Sequence, residues 1–280
     1  MKTKTLVIAL SILYSLTTFS QVTFHGKVIG QKTKESLPYV NIGIVGKNIG
    51  TVSNINGEFT INLPNSYNSD TLRFSMIGYK SQSYEVRKFK NKFINHQELI
   101  IHLEQSMVAL KEVVIIDKKK WKTKILGNVN ETDNVVSGFY SEKLGTEVGT
   151  IIKIRKSPTY VENFSFYIAE NTFDSLFFRL NIYNLKKGKP FENILDKNIF
   201  IQTNVKKGKV TIDLEKYNIV MQENFFISLE YVKPLSASSG NKLSFGSGFF
   251  NSPSYSRSAS QGDWDKGGGF CLGFNVKVKY

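Results

Sequence analysis

Turn residues cut this sequence, from Val22 to Tyr280, into short runs of β-forming side chains, and that spacing constrains the fold more than any other feature. In the first part the runs are 22–29, 39–44, 50–51, 57–63, 71–77, 83–86 and 98–103, punctuated by Asn56-Gly57, Leu63-Pro64-Asn65-Ser66 and Asn68-Ser69-Asp70. No stretch among them shows a convincing helical repeat, so a parallel α/β arrangement is not expected. Asn56-Gly57 is a dipeptide that readily takes positive φ in a tight turn. Short strands at this density predict an all-β chain built from sandwiches.

The second half repeats the pattern over 147–155, 161–169, 175–183, 198–205, 209–214, 224–232, 242–250 and 270–280. Eight strands with turns such as Lys187-Gly188-Lys189-Pro190 and Lys207-Gly208 predict a two-sheet, jelly-roll-like sandwich. Val210, Ile212 and Leu214 alternate with Thr211 and Asp213, as expected for one buried and one wet face. Phe225-Phe-Ile-Ser-Leu229 is more continuous and is expected to be central. The last run allows another reading, because Leu272, Phe274, Val276, Val278 and Tyr280 point one way, like the closing strand of a small outer-membrane β-barrel. Against it, residues 209–214 fall short of the roughly 9–11 residues of a spanning strand, and charges recur without a sustained apolar band.

At 41% hydrophobic residues the chain has enough apolar material for cores. Its one cysteine, Cys271, sits in the apolar run Phe270-Cys-Leu-Gly-Phe274, so a buried thiol is expected and stability must come from packing. Residues 1–20 read as a secretory signal peptide: Lys2 and Lys4 precede a short apolar stretch, and Thr18 and Ser20 place small residues before a cut at Gln21. The expected location is therefore periplasmic, outer-membrane-associated or at the cell surface. A formal charge of +14 favours anionic surfaces such as lipid headgroups or acidic glycans. For an exported chain, no nucleic-acid partner is expected. Lys111, Lys118, Lys119, Lys120, Lys122 and Lys124 read as a solvated linker.

Four landmarks in the first part, Val22-Thr-Phe-His-Gly-Lys-Val-Ile29, Leu37-Pro-Tyr-Val-Asn-Ile42, Gly50-Thr-Val-Ser-Asn-Ile-Asn-Gly-Glu-Phe59 and Phe74-Ser-Met-Ile-Gly-Tyr79, stand in the order seen in a known domain family. The segment resembles the carboxypeptidase-regulatory-like domain, a transthyretin-like β-sandwich. That resemblance implies structural roles for Asn56, Gly57, Phe59, Gly78 and Tyr79: a glycine-permitted hairpin turn, a phenylalanine re-entering the core, and a bend after a buried strand. It also implies a non-catalytic module. The expected organisation is a signal peptide (1–20), a regulatory-like sandwich (21–105), a basic junction (106–126) and a jelly-roll-like sandwich (127–280). Within the junction, Val113-Val-Ile-Ile116 is similar to a phrase that follows such domains in TonB-dependent outer-membrane proteins, and reads as a strand or strap. Too few residues follow for a plug and barrel.

Catalytic signatures point nowhere in particular. His25, His96 and His102 are followed three residues on by Val28, Leu99 and Gln105, so the His-x-x-Glu zinc pattern of a metallocarboxypeptidase is missing. Asp263-x-Asp265 lacks the remaining ligands of a calcium loop, and Phe245-Gly-Ser-Gly-Phe249 lacks the nucleophile-elbow spacing. No metal or cofactor is expected. The expectation is a non-catalytic envelope protein that binds or scaffolds a glycan or an envelope protein. Tyr255, Arg257 and Trp264, in the Ser- and Gly-rich stretch 236–269, are the candidate ligand-binding residues. The alternatives are an envelope hydrolase, with acids such as Glu230 or Asp213 converging in a cleft, or the small barrel.

Overall fold

A computed structural model describes residues 21–95, 99–106, 121–139, 143–233, 242–249 and 252–280. The expected signal peptide, His96, the strap at 113–116 and Lys111, Lys118, Lys119 and Lys120 lie outside the described residues.

The first module holds β1 (Gln21–Gly30), β2 (Asn41–Ile44), β3 (Gly50–Val52), β4 (Glu58–Pro64), β5 (Thr71–Ser75), β6 (Gln82–Glu85), helix α1 (Val86–Phe93) and β7 (Leu99–Leu103). A three-stranded sheet of order β4-β1-β7 faces a four-stranded sheet of order β3-β2-β5-β6. Phe24, Val28, Ile42, Ile44, Phe59, Leu72 and Phe74 meet in the core between them. The sandwich expected from the sequence is therefore present, with two corrections.

Gly57 takes φ +77° and Phe59 is buried, as anticipated, but β3 and β4 lie in different sheets. The turn is thus a crossover between sheets and not a hairpin. A Cβ at Gly57 would lie 2.6 Å from the Val28 carbonyl, which is why glycine stands there. Gly78, at φ +85°, bends the chain after β5, and the Tyr79 N–H donates to the Met76 carbonyl at 3.1 Å.

The second correction is α1. Strand character ends at Glu85, and Val86, Phe89, Lys90 and Phe93 then bury one helical face. The apolar stripe is broken by Lys90, whose ammonium donates to Asn65 and Asn68 at 2.8 and 2.9 Å while its stem fills the stripe. A lysine at a core position hides the helical period.

The second module holds β8 (Thr123–Gly127), β9 (Val136–Gly138), β10 (Glu147–Ile152), β11 (Thr159–Asn171), β12 (Leu176–Lys186), β13 (Lys189–Asn193), β14 (Ile199–Thr203), β15 (Gly208–Asp213), β16 (Val220–Met221), β17 (Phe225–Tyr231), β18 (Leu243–Phe249), β19 (Ser254–Arg257), β20 (Asp265–Lys266), β21 (Phe270–Leu272) and β22 (Phe274–Lys279). One sheet runs β13-β12-β17-β10-β19-β20 with β14 also on β12; the other runs β21-β18-β11-β22-β8, with β15 and β16 on β11 and β9 on β18. Between them lies one apolar core that includes Phe164, Phe166, Phe178, Leu180, Ile227, Leu229 and Phe245.

Leu272, Phe274, Val276 and Val278 belong to that core, so the apolar side of the last strand faces protein and not lipid. This two-sheet packing is the expected sandwich. Cys271 is buried. No helix among the described residues is long and apolar enough to cross a membrane.

Candidate functional site

The site begins with strand alternation. On β12, Phe178, Leu180 and Ile182 enter the core, so Arg179, Asn181 and Tyr183 emerge on the opposite face. By the same rule Phe226, Ser228 and Glu230 emerge from β17, and Glu147, Gly149 and Ile151 from β10. Register then sets Arg179 opposite Glu230, Glu230 opposite Glu147, and Glu147 opposite Arg257 of β19. Four charges therefore cross the sheet in one row, ordered plus, minus, minus, plus. They are buried: Arg179 is 1% exposed, Glu147 and Glu230 0%, and Arg257 8%.

The first module covers them. In its four-stranded sheet Ile42, Leu72 and Phe74 face its own core, which leaves Asn41, Gly43, Gly50, Arg73 and Ser75 on the outer face. Arg179 donates from Nη1 to the Tyr39 carbonyl at 2.7 Å and from Nη2 to Asn41 Oδ1. Tyr39 sits at φ +60°, a conformation unusual for a non-glycine residue. Its ring packs edge-on against Phe200 at 5.2 Å, and it joins Val52 and Val232 in an apolar cluster between the modules.

A second seam forms around Ser260. Gly43 and Gly50 stand opposite one another, and a Cβ on either would come within 2.2 or 2.3 Å of the Ser260 carbonyl. Gln261 Nε2 donates to Ser75 Oγ at 2.8 Å, and the Gly46 N–H donates to the Gln261 carbonyl at 2.9 Å.

Hydrogen bonding binds the charge row into one network. Asn181 Nδ2 donates to Glu147 Oε1 at 2.9 Å and to Glu230 Oε2 at 2.8 Å, so a single amide nitrogen spans both carboxylates. Arg179 contacts Glu230 at 2.9 Å; Arg257 is paired with Glu147 and also donates to Tyr183 Oη at 3.1 Å. Ser228 donates to Glu147, and Tyr183 does so at 3.1 Å.

Burial pushes the Glu230 carboxyl above its usual range, against the pull of Arg179. Burial also raises the Tyr183 phenol well above its usual value. For Arg257 burial opposes the charge, but Glu147, Tyr183 and Glu230 together outweigh it and hold the guanidinium more firmly protonated than usual. Glu230 Oε1 and Arg257 Nε are buried without a hydrogen-bond partner.

Beside this network the modules leave a cleft of about 390 Å³. Its walls include Arg73, Ser81 and Ser106 on one side and Arg179, Asn181, Phe191, Glu192, Arg257 and Gln261 on the other. A second hollow of about 610 Å³ is lined by His25, Tyr39, Ile55, Leu144 and Lys233. It adjoins stretches outside the described residues and gathers fewer polar side chains, so the smaller cleft is the better site. That volume falls within the range of small-ligand pockets.

The residues singled out from sequence come together, but not as a free loop. Arg257 lies in β19 with Tyr255, and its guanidinium sits 4.8 Å from the Trp264 ring centroid. Trp264 packs edge-on against Phe226 at 4.9 Å and Tyr183 at 5.6 Å. Tyr255 is buried and donates to the Gly188 carbonyl at 3.1 Å. Of the three, only Arg257 lines the cleft.

The hydrolase pairing also changes. Asp213 lies in β15 of the other sheet and is exposed, so it does not meet Glu230. Glu147 does meet Glu230, but both are fully buried and each is paired with an arginine. A general acid needs a raised pKa and access to substrate; Glu230 has the first, and burial denies the second. Among the described residues no group of three or more His, Cys, Asp or Glu side chains is placed to hold a metal.

Sequence reasoning missed Arg179, Asn181 and Glu147. Their signal is present in Leu176-Phe-Phe-Arg-Leu-Asn-Ile-Tyr183, where polar residues alternate with core positions, but alternation alone does not distinguish a wet face from a covered one.

Comparison with known proteins finds a family match for the first part of the chain. The CarboxypepD_reg-like domain family matches residues 24–115, which contain all seven strands of the first module apart from the start of β1. No curated protein matches the chain.

Proposed function

We propose a function that starts from the family: the first module is a CarboxypepD_reg-like domain, a non-catalytic module, and here it serves as one wall of a binding cleft. In this reading the chain is an exported envelope protein that binds or scaffolds a glycan or an envelope-protein partner. The observation that carries it is the polar cleft between two sheets held face to face by Arg179, which bonds to Tyr39 and Asn41 across the modules and to Glu230 in its own sheet. A rigid frame supports binding because its side chains are ordered before the ligand arrives, which lowers the entropy lost on association.

The test uses the chain from Gln21 onward on a glycan array and in pull-downs from envelope fractions. Ser81 is exposed and lines the cleft, so Ser81→Trp fills the opening without entering either core. Partners captured by the wild-type chain are expected to be lost in this variant. Undiminished capture would remove the cleft from the account.

A further inference from the structure

We propose that the cleft recognises a carboxylate on a saccharide, with Arg73 as the anion-binding residue. The proposal rests on the cleft reading above and narrows its ligand to acidic glycans.

Arg73 lies in β5 between Leu72 and Phe74, both fully buried, so its side chain is turned to the opposite face and lines the cleft. Among the described residues its guanidinium makes no hydrogen bond or ion pair. The other two arginines of the cleft differ in this respect: Arg179 is paired with Glu230 and Arg257 with Glu147. The floor is therefore charge-balanced, and above it stand Arg73, which has no ion-pair partner, and the exposed carboxylate of Glu192. Glu192 Oε2 accepts from Asn184 Nδ2 at 3.4 Å and its backbone N–H donates to Asn184 Oδ1, so the carboxylate is tied to its neighbouring strand at the rim. A guanidinium with no ion-pair partner on a cleft wall attracts an incoming anion.

Other polar groups of the cleft supply donors. Asn41 Oδ1 is occupied by Arg179 and Ser260, which leaves its amide NH₂ as the free end. Ser81 and Ser106 add hydroxyls. A planar guanidinium backed by amide and hydroxyl donors matches a carboxylate and the hydroxyls that accompany it on a sugar ring. Phe191 is 49% exposed and offers an apolar face, and Lys186 Nζ lies 4.2 Å from its centroid, adding positive charge at the rim. One aromatic amid amides and hydroxyls suits a hydroxylated ring better than an apolar peptide side chain.

The experiment is calorimetric titration of the chain from Gln21 onward with oligosaccharides carrying galacturonate, glucuronate or sialate. Their carboxyl-reduced counterparts and an acetylated tripeptide with a free C-terminus are titrated alongside. At least one acidic saccharide is expected to bind about tenfold or more tighter than its reduced form, as charge-assisted bonds to Arg73 imply. Arg73→Met is expected to remove that preference with an unchanged melting temperature, and Arg73→Lys to keep part of it.

Equal binding of acidic and reduced sugars, abolished by Ser81→Trp, would overturn the proposal and leave the cleft reading intact. Binding of the tripeptide alone, lost in Arg73→Met, would likewise remove the saccharide and keep the cleft. An acidic preference unchanged in Arg73→Met would overturn the assignment of that residue.

Discussion

Arg179 is the residue on which the two modules turn. It is 1% exposed, and it divides its donors among Glu230 of its own sheet and Tyr39 and Asn41 of the other module. Removing one member of a buried pair leaves a charge in low dielectric, a loss of about 3–5 kcal/mol, whereas replacing both with apolar groups of similar volume is much milder. Arg179→Met and Glu230→Leu are therefore each expected to destabilise strongly in urea unfolding, and the double variant by less than either single one. Additive losses would show that the pair does not act as a unit.

Glu230 also sets a pH dependence. Its folded carboxyl is raised above the ordinary value of 4.5, so its ionised form opposes folding. The contribution is fully present below 4.5, and it is lost as pH rises through the folded value. On acidification from pH 7 towards 4.5 the wild type should gain stability relative to Glu230→Gln, read from urea midpoints of both proteins. A relative loss would reverse the assigned direction.

At the scale of elements, the face-to-face meeting of two sheets explains why β17 is buried along its whole length. One side packs in the module's own core, and the other lies beneath the first module and Trp264. The paired glycines of β2 and β3 make the close approach possible, because any Cβ there collides with the Ser260 carbonyl. Gly43→Ala is expected to destabilise by about 1–3 kcal/mol, as overpacking does. It should also speed protease cleavage near Ser260. Gly268→Ala, which meets nothing within 4 Å, is the control and should change little. Equal behaviour of the two variants would show that the notch is not a contact under load.

For the whole molecule, shared burial predicts shared unfolding. The two modules have separate cores but are joined by Arg179 of the charge row, the Ser260 seam and the Tyr39–Val52–Val232 cluster. Scanning calorimetry should show one transition in the wild type and two in Arg179→Met, where the seam weakens before either core does. Two transitions in the wild type would mean that the interface contributes little to stability. Much of this architecture is legible in the chain itself. The eight strand runs of the second half coincide with β10, β11, β12, β14, β15, β17, β18 and the β21–β22 pair. Strands such as β13 and β19 escape notice because Pro190 and the serines at 254 and 256 depress the β-forming signal. Helix α1 escapes because Lys90 occupies its buried stripe.

Alternation and turn chemistry are local, so the sequence by itself determined the all-β class, the strand-rich halves, the glycine turn at residue 57 and the family of the first module. The sharing of one buried charge row by two modules is not local. Glu147 and Arg257 are far apart along the chain and meet only through register, and Asn41 meets Arg179 only because two outer faces pack together. Polar residues alternating along a strand read the same whether water or another sheet lies above them. Only the tertiary structure decided which, because burial is a property of what covers a face and not of the residues that compose it.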